Sequence, residues 1–258
     1  MVKFLAYPLT LLYLLFFGLA LLIFHPIQWF CFNVFGYNAH KKSVDYLQFC
    51  LIKCLHILGT RFTFNNNFEI DANTPLIIVA NHQSMNDIPP ILWYLRKHHP
   101  KFISKKELGK GVPSVSYNLR HGGSVIIDRK KPFESIQAIK DFAERVKSNN
   151  WSAVIFPEGT RSRNGKPKPF KTKGLITLIE HIPNATIVPL TINNSWKTLR
   201  YGKFPMGLGS HIKFEVHQPF KASTFKAESK SFKTLTTLFT DSLSSKFSIQ
   251  LIIVTNCE

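Results

Sequence analysis

Histidine is the side chain best suited to taking a proton from a hydroxyl near neutral pH. His82 stands five residues before Asp87 in the segment Asn81-His82-Gln83-Ser84-Met85-Asn86-Asp87. Residues five apart on one straight helix are separated by about 140° around its axis, so the pair can meet only across a bend from loop into helix. The sequence predicts that bend: the apolar run Leu76 to Ala80 reads as a strand stopping at Asn81, and Pro89-Pro90 marks the first turn of a following helix. Asp87 at the helix start would then bind one imidazole nitrogen and leave the other free as a general base. Spacing alone does not select this pair. His40 and Asp45 repeat it without a preceding strand, and an Asp cap beside a surface His explains the first pair equally well.

Two more strand ends carry arginine. Gly123-Ser124-Val125-Ile126-Ile127-Asp128-Arg129 closes one, and Val154-Ile155-Phe156-Pro157-Glu158-Gly159-Thr160-Arg161-Ser162 closes another. The guanidinium fork matches phosphate oxygens, and a glycine lets the backbone turn closely around a ligand. The basic run from Arg161 to Lys173 reads for the most part as a solvated loop. A serine hydrolase is a poorer reading: Ser84 lies two residues from His82, and there is no GxSxG elbow. No HExxH, P-loop or dinucleotide fingerprint occurs, so neither a metal nor a nucleotide cofactor is expected.

The elements that must hold these residues follow from periodicity. Strands are expected at Leu76 to Ala80, Ser124 to Asp128, Ala153 to Phe156, Thr186 to Ile192 and His211 to Val216. Helices are expected at Ser43 to Leu58, Ile88 to His98, Phe133 to Lys147 and Lys173 to His181. Their alternation predicts an α/β class with a mixed sheet flanked by helices. Ahead of it, Phe4 to Phe24 is 21 residues without a charge, about 32 Å as a helix, enough for one membrane span. His25-Pro26 invites a turn, so a helical hairpin dipping into one leaflet competes with the span. A cleaved signal peptide would have a shorter apolar region. The expected division is a membrane-anchoring helical segment at 1–60, a catalytic domain at 61–225 and a helical tail at 226–258. Cys50 and Cys54 would share a helix face as packed thiols.

The chain has 258 residues, and its 33 Lys+Arg against 15 Asp+Glu leave a formal net charge of +18. That balance implies an anionic partner, which the uncharged start makes a lipid surface rather than nucleic acid. The basic residues that follow it, Lys41, Lys42, Lys53 and Arg61, put the remainder on the cytoplasmic face by the positive-inside bias.

In order, the blocks NHQSMND, GSVIIDR, FPEGTRS and IVPLTI resemble the four ordered motifs of the glycerolipid acyltransferases, most closely the 1-acylglycerol-3-phosphate acyltransferases, over about residues 60 to 220. Ile126 stands where that family usually has an aromatic, and PFKTKG carries one residue more than its common form, leaving Lys171 and Lys173 as alternatives for the ligand side. The resemblance implies acyl transfer from acyl-CoA or acyl carrier protein to the hydroxyl of a lysophospholipid, with no covalent intermediate and no metal. It implies His82 as general base and Asp87 as its orienter. Arg129, Glu158, Gly159, Thr160 and Arg161 would form the acceptor-phosphate site, and Lys105 would steady the thioester oxygen.

Overall fold

The computed structural model describes residues 2–224. The helical tail expected at 226–258 lies outside these residues. Strand β2 (Leu76–Ala80) is buried at every position, as its unbroken run of apolar residues requires of a strand covered on both faces. It lies between β5 (Ser152–Ile155) and β6 (Thr186–Asn193), parallel to both. With β1 (Arg61–Asn65), β3 (Pro100–Lys105), β4 (Val125–Ile127) and β7 (His211–Val216), the order across the sheet is β1-β7-β6-β2-β5-β3-β4. The short β8 (Phe220–Lys221) adds to β6. β7 and β8 run antiparallel to β6, so the sheet is mixed.

Alternation along β2 sends Ile77 and Val79 to one face and Leu76, Ile78 and Ala80 to the other. The first face is covered by α5 (Pro132–Ser148) through Ile139, Phe142 and Val146 and by α6 (Lys173–His181) through Leu175 and Leu178. On the second, α3 (Ile88–Tyr94) contributes Ile91 and Leu92 to a cluster with Val188, Leu190 and Phe214. Three strands escape the periodicity argument. β1 is only partly buried, β3 carries a buried lysine at its second position in PKFISK, and β8 is two residues long, so none shows a clean apolar pattern.

The N-terminal segment corrects one expectation. Helix α1 (Val2–Phe35) continues unbroken through His25-Pro26, and the chain reverses instead at Gly36, whose φ of 76° lies in the left-handed region, before α2 (Tyr37–His56) packs back along it. Pro26 removes a single donor, the one that would serve Leu22, which a long apolar helix tolerates when its neighbours brace it. The brace comes from Ser114 at the start of α4 (Val115–His121). Its Oγ donates to the Leu21 carbonyl at 2.6 Å, and its N–H donates to His25 Nδ1 at 3.1 Å. A hairpin therefore forms, but α2 is its second arm. That arm begins before the expected Ser43, and it packs on α3 and forms part of the domain.

Candidate active site

In a largely parallel sheet the loops beyond the carboxyl ends of the strands form the ligand crevice. β2 delivers His82 there, β5 delivers residues 156 to 161, β4 leads to Arg129, and Lys105 ends β3. One cavity is lined by His82, Lys105, Arg129, Gly159, Thr160 and Arg161, so these sequence-predicted residues converge.

His82 and Asp87 meet across the bend expected of them. Met85–Asp87 form a single 3-10 turn before α3, capped by Ser84, whose Oγ accepts from the Asn86 N–H at 3.1 Å. Asp87 is fully buried, and its Oδ2 accepts from three donors: His82 Nδ1 at 2.8 Å and the backbone N–H groups of Gln83 and Ser84 at 2.8 and 2.9 Å. A carboxylate facing Nδ1 puts the proton on that nitrogen, which leaves Nε2 with its lone pair. The ring lies on Phe156 with centroids 4.1 Å apart and planes at 16°, a second restraint on its orientation. Ser84 is buried, with its hydroxyl 3.4 Å from that of Thr198, so it makes no nucleophile with His82. The alternative pair does not form: Asp45 binds Lys41 at 2.6 Å, and His40 is buried among aromatic rings.

The backbone of His82 is clamped as firmly as its ring. Its N–H donates to Glu158 Oε1 at 2.8 Å, and its carbonyl accepts from the Ser162 N–H at 2.7 Å. Glu158 Oε2 accepts from the Lys168 N–H at 2.9 Å, so both carboxylate oxygens are spent on backbone. Glu158 is 2% exposed, and burial raises its pKa. The resemblance puts Glu158 in the acceptor-phosphate site; in the structure its carboxylate binds the His82 loop to the 156–168 loop. Asn81, which sequence reasoning passed over, does the same on the other side: its side chain donates to the Ile192 carbonyl at 2.8 Å and accepts from the Ile192 N–H at 2.6 Å, joining the end of β2 to β6. A polar amide directly after a buried strand was the available signal.

Arg129 Nη1 donates to the Gly159 carbonyl, which leaves most of its five donors for a ligand. Gly159 has a φ of 66°, in the left-handed region that residues with a side chain rarely adopt, so the turn favours glycine. Lys171 and Lys173 both line the cavity, and Lys171 lies against Gly159. Arg161 is exposed, with no side-chain partner among the described residues. The cavity, about 1120 Å³, runs on from this basic mouth between α2, α4 and β3, past Leu47, Leu92, Leu108, Val115 and Leu119. Its walls thus use α2, which no motif indicated, and α4, which periodicity did not disclose.

A mixed sheet thus carries an Asp–His couple and arginines at its strand ends. Residues 61–193 match the family model described as Acyltransferase. A 1-acyl-sn-glycerol-3-phosphate acyltransferase of Helicobacter pylori is 38% identical over 169 residues, 64% of this chain and 67% of that protein. One of Cocos nucifera is 37% identical over 134 residues, 52% of this chain and 41% of that protein. The chain spans about half the length of most of the curated relatives it matches. In fold it is similar to the crystal structure of the 1-acyl-sn-glycerophosphate (LPA) acyltransferase PlsC of Thermotoga maritima, with a TM-score of 0.73 over 96% of this chain and all of that one at 22% identity. The chain belongs to the acyltransferase family.

Proposed function

We propose that the protein transfers an acyl group from an acyl thioester, acyl-CoA or acyl carrier protein, to the sn-2 hydroxyl of 1-acylglycerol-3-phosphate, yielding phosphatidic acid. The observation that carries this reading is the His82–Asp87 couple opening on a cavity it shares with Arg129 and Arg161. His82 Nε2 takes the hydroxyl proton as the oxygen attacks the thioester carbonyl. The tetrahedral intermediate collapses by breaking the C–S bond, and the proton passes from the imidazolium to the leaving thiolate. Asp87 stabilises the imidazolium while it exists. Arg129 and Arg161 hold the acceptor phosphate, Gly159 and Thr160 shape the turn around it, and Lys105 lies where a cation can offset charge on the thioester oxygen. No cofactor is invoked. Purified protein supplied with labelled acyl-CoA and a panel of lysophospholipids is expected to form phosphatidic acid fastest from lysophosphatidate. Preference for another lysolipid would reassign the acceptor, and no transfer with any donor would refute the activity.

We further propose that α1 lies in the plane of one leaflet rather than crossing it. By length and composition it could cross a membrane, since its 34 residues extend about 51 Å. Yet it touches the domain along that whole length. Tyr7 packs edge-on to Phe204, Thr10 Oγ1 accepts from the Met206 N–H, His25 meets Ser114, and Asn33 donates to the Tyr117 hydroxyl. A perpendicular span would draw those loops into hydrocarbon. Lying flat, it buries the outward row of Phe4, Leu11, Leu15, Leu22, Trp29 and Phe30 in lipid and holds the His82 loop near the headgroups, with the domain on the cytoplasmic side. With the native cysteines replaced, cysteines introduced at Lys3 and Lys42 are expected to react with an impermeant maleimide from the same side of sealed vesicles. Labelling from opposite sides would establish a span.

A further inference from the structure

The loop that follows β6 extends the lipid-facing side of α1. It leaves the 3-10 turn Ser195–Leu199 and closes on itself where the Gly207 N–H donates to the Thr198 carbonyl at 2.8 Å. Three contacts hold it against the start of α1. The Phe204 ring meets Tyr7 edge-on with centroids 5.4 Å apart, the Met206 N–H donates to Thr10 Oγ1 at 2.9 Å, and Lys3 Nζ is 5.9 Å from the Tyr201 ring centroid. Even so, Tyr7, Tyr201 and Phe204 remain 41%, 37% and 48% exposed, so these rings stay at the surface. Phe4, three residues before Tyr7 and 83% exposed, shares its helix face and joins the patch to the outward row of α1.

Cations frame these rings. The Arg200 guanidinium is 5.1 Å from the Tyr201 centroid, on the ring that Lys3 also approaches, and Lys203 stands between Tyr201 and Phe204 in the chain. Among the described residues none of the three has an ion-pair partner. From Ser195 to Lys213 the chain carries Lys197, Arg200, Lys203 and Lys213 and no Asp or Glu. Tyrosine, with an apolar ring and a polar tip, and cations on long stems settle at the boundary between headgroups and hydrocarbon. The loop is also fixed to the site. Lys203 lines the cavity that His82 borders, and the Thr198 hydroxyl accepts from Asn86 Nδ2 of the His82 turn at 3.0 Å.

We propose that the loop of residues 199–208 is a second membrane contact, taking anionic lipid headgroups on Arg200 and Lys203 while Tyr201 and Phe204 sink to the top of the acyl chains. The proposal rests on α1 lying against one leaflet, and the loop supplies what α1 lacks. From Phe4 to Phe35 that helix has no charged residue, so it binds hydrocarbon without regard to the headgroup. The loop adds the preference for negative lipid. A nucleic acid or an acidic protein would answer the charges but not the exposed rings, which continue into the apolar row of α1; a bilayer covers both at once. Because Lys203 borders the cavity, the same contact seats its opening against the headgroups, where a lysophospholipid passes in without leaving the surface.

The test measures binding of the full chain, at low ionic strength, to vesicles of phosphatidylcholine and to vesicles of an equal mixture with phosphatidylglycerol. The double variant Arg200→Gln/Lys203→Gln is expected to bind the mixed vesicles about tenfold or more weakly, since each cation near an anionic surface contributes a factor of roughly five. Its binding to phosphatidylcholine should barely change. Arg145→Gln/Lys147→Gln removes the same charge from α5 and is expected to cost about twofold or less, because screening confines the attraction to charges near the surface. Equal losses from the two pairs, or no loss from the loop pair, would overturn the proposal. Should Arg200→Gln fold poorly, since Arg200 also holds the Leu208 carbonyl, Lys203→Gln alone decides, with an expected loss of about fivefold. Insertion is read separately. With the native cysteines replaced, an environment-sensitive fluorophore on Phe204→Cys is expected to shift to the blue on mixed vesicles and to be quenched by lipids spin-labelled near the top of the acyl chain. The same fluorophore on Leu15→Cys reports α1. A probe at 204 left in water while the probe at 15 is buried would sink the loop contact and keep the reading of α1. A buried probe at 204 with the probe at 15 in water would keep the loop contact and sink the reading of α1.

Discussion

His82→Ala is expected to lower turnover by about 10²- to 10⁴-fold, the range that a positioned general base supplies, with the melting temperature little changed. The side chain makes one hydrogen bond, to Asp87, and stacks on Phe156. Removing it leaves the Asp87 carboxylate still accepting from the Gln83 and Ser84 N–H groups, and the clamps on the His82 backbone from Glu158 and Ser162 do not involve the ring. The loop therefore keeps its course while the base is gone. Asp87→Asn differs in kind. An amide cannot serve three donors as a carboxylate does, nor stabilise an imidazolium, so turnover falls with little change in the acceptor KM, and thermal stability falls with it. Steady-state rates with acyl-CoA and lysophosphatidate, paired with thermal unfolding, distinguish the two variants. Turnover of His82→Ala within a few-fold of the wild type would remove His82 from the reaction.

The motif blocks were legible in the sequence because their chemistry is local. His82 and Asp87 need only one turn between them, and Ser84, Pro89 and Pro90 announce where that turn stops and the helix begins. β2, β6 and β7 were equally legible, since dense apolar runs buried in a sheet leave a strong signature. What was not legible was long-range. PKFISK gives no strand pattern, because Lys101 is buried against rings that come from Tyr37 and Trp151, and nothing near residue 101 announces them. Glu158 reads as a ligand residue because it sits among them in FPEGTRS. Its partners, the His82 N–H 76 residues earlier and the Lys168 N–H ten residues later, can be found only in three dimensions. His25-Pro26 carried a turn signal that Ser114, 89 residues from His25, overrides. In each case a residue judged by its sequence neighbours has its energetics set elsewhere.

Arg161→Lys is expected to raise the KM for lysophosphatidate about tenfold with turnover nearly unchanged, because a point charge replaces a two-pronged contact with the phosphate. The side chain of Arg161 has no protein partner among the described residues to lose, so the change reports ligand contact directly. Arg129→Ala should cost more and in both parameters. Besides its donors toward the ligand, Arg129 holds the Gly159 carbonyl, and Gly159 follows the carboxylate that fixes the His82 N–H. Freeing that turn loosens the base as well as the phosphate grip, so kcat falls together with acceptor affinity. Arg129→Lys should recover part of the kcat loss if a single donor to Gly159 suffices to hold the turn. The donor is the necessary control, since acyl-CoA brings phosphates of its own to a mouth that also contains Lys171 and Lys173. Initial-rate matrices in both substrates separate the cases. A rise in acceptor KM with donor KM within a few-fold of the wild type assigns the arginines to lysophosphatidate, whereas a rise confined to acyl-CoA would move them to its phosphates and leave the acceptor to be held by the lysines.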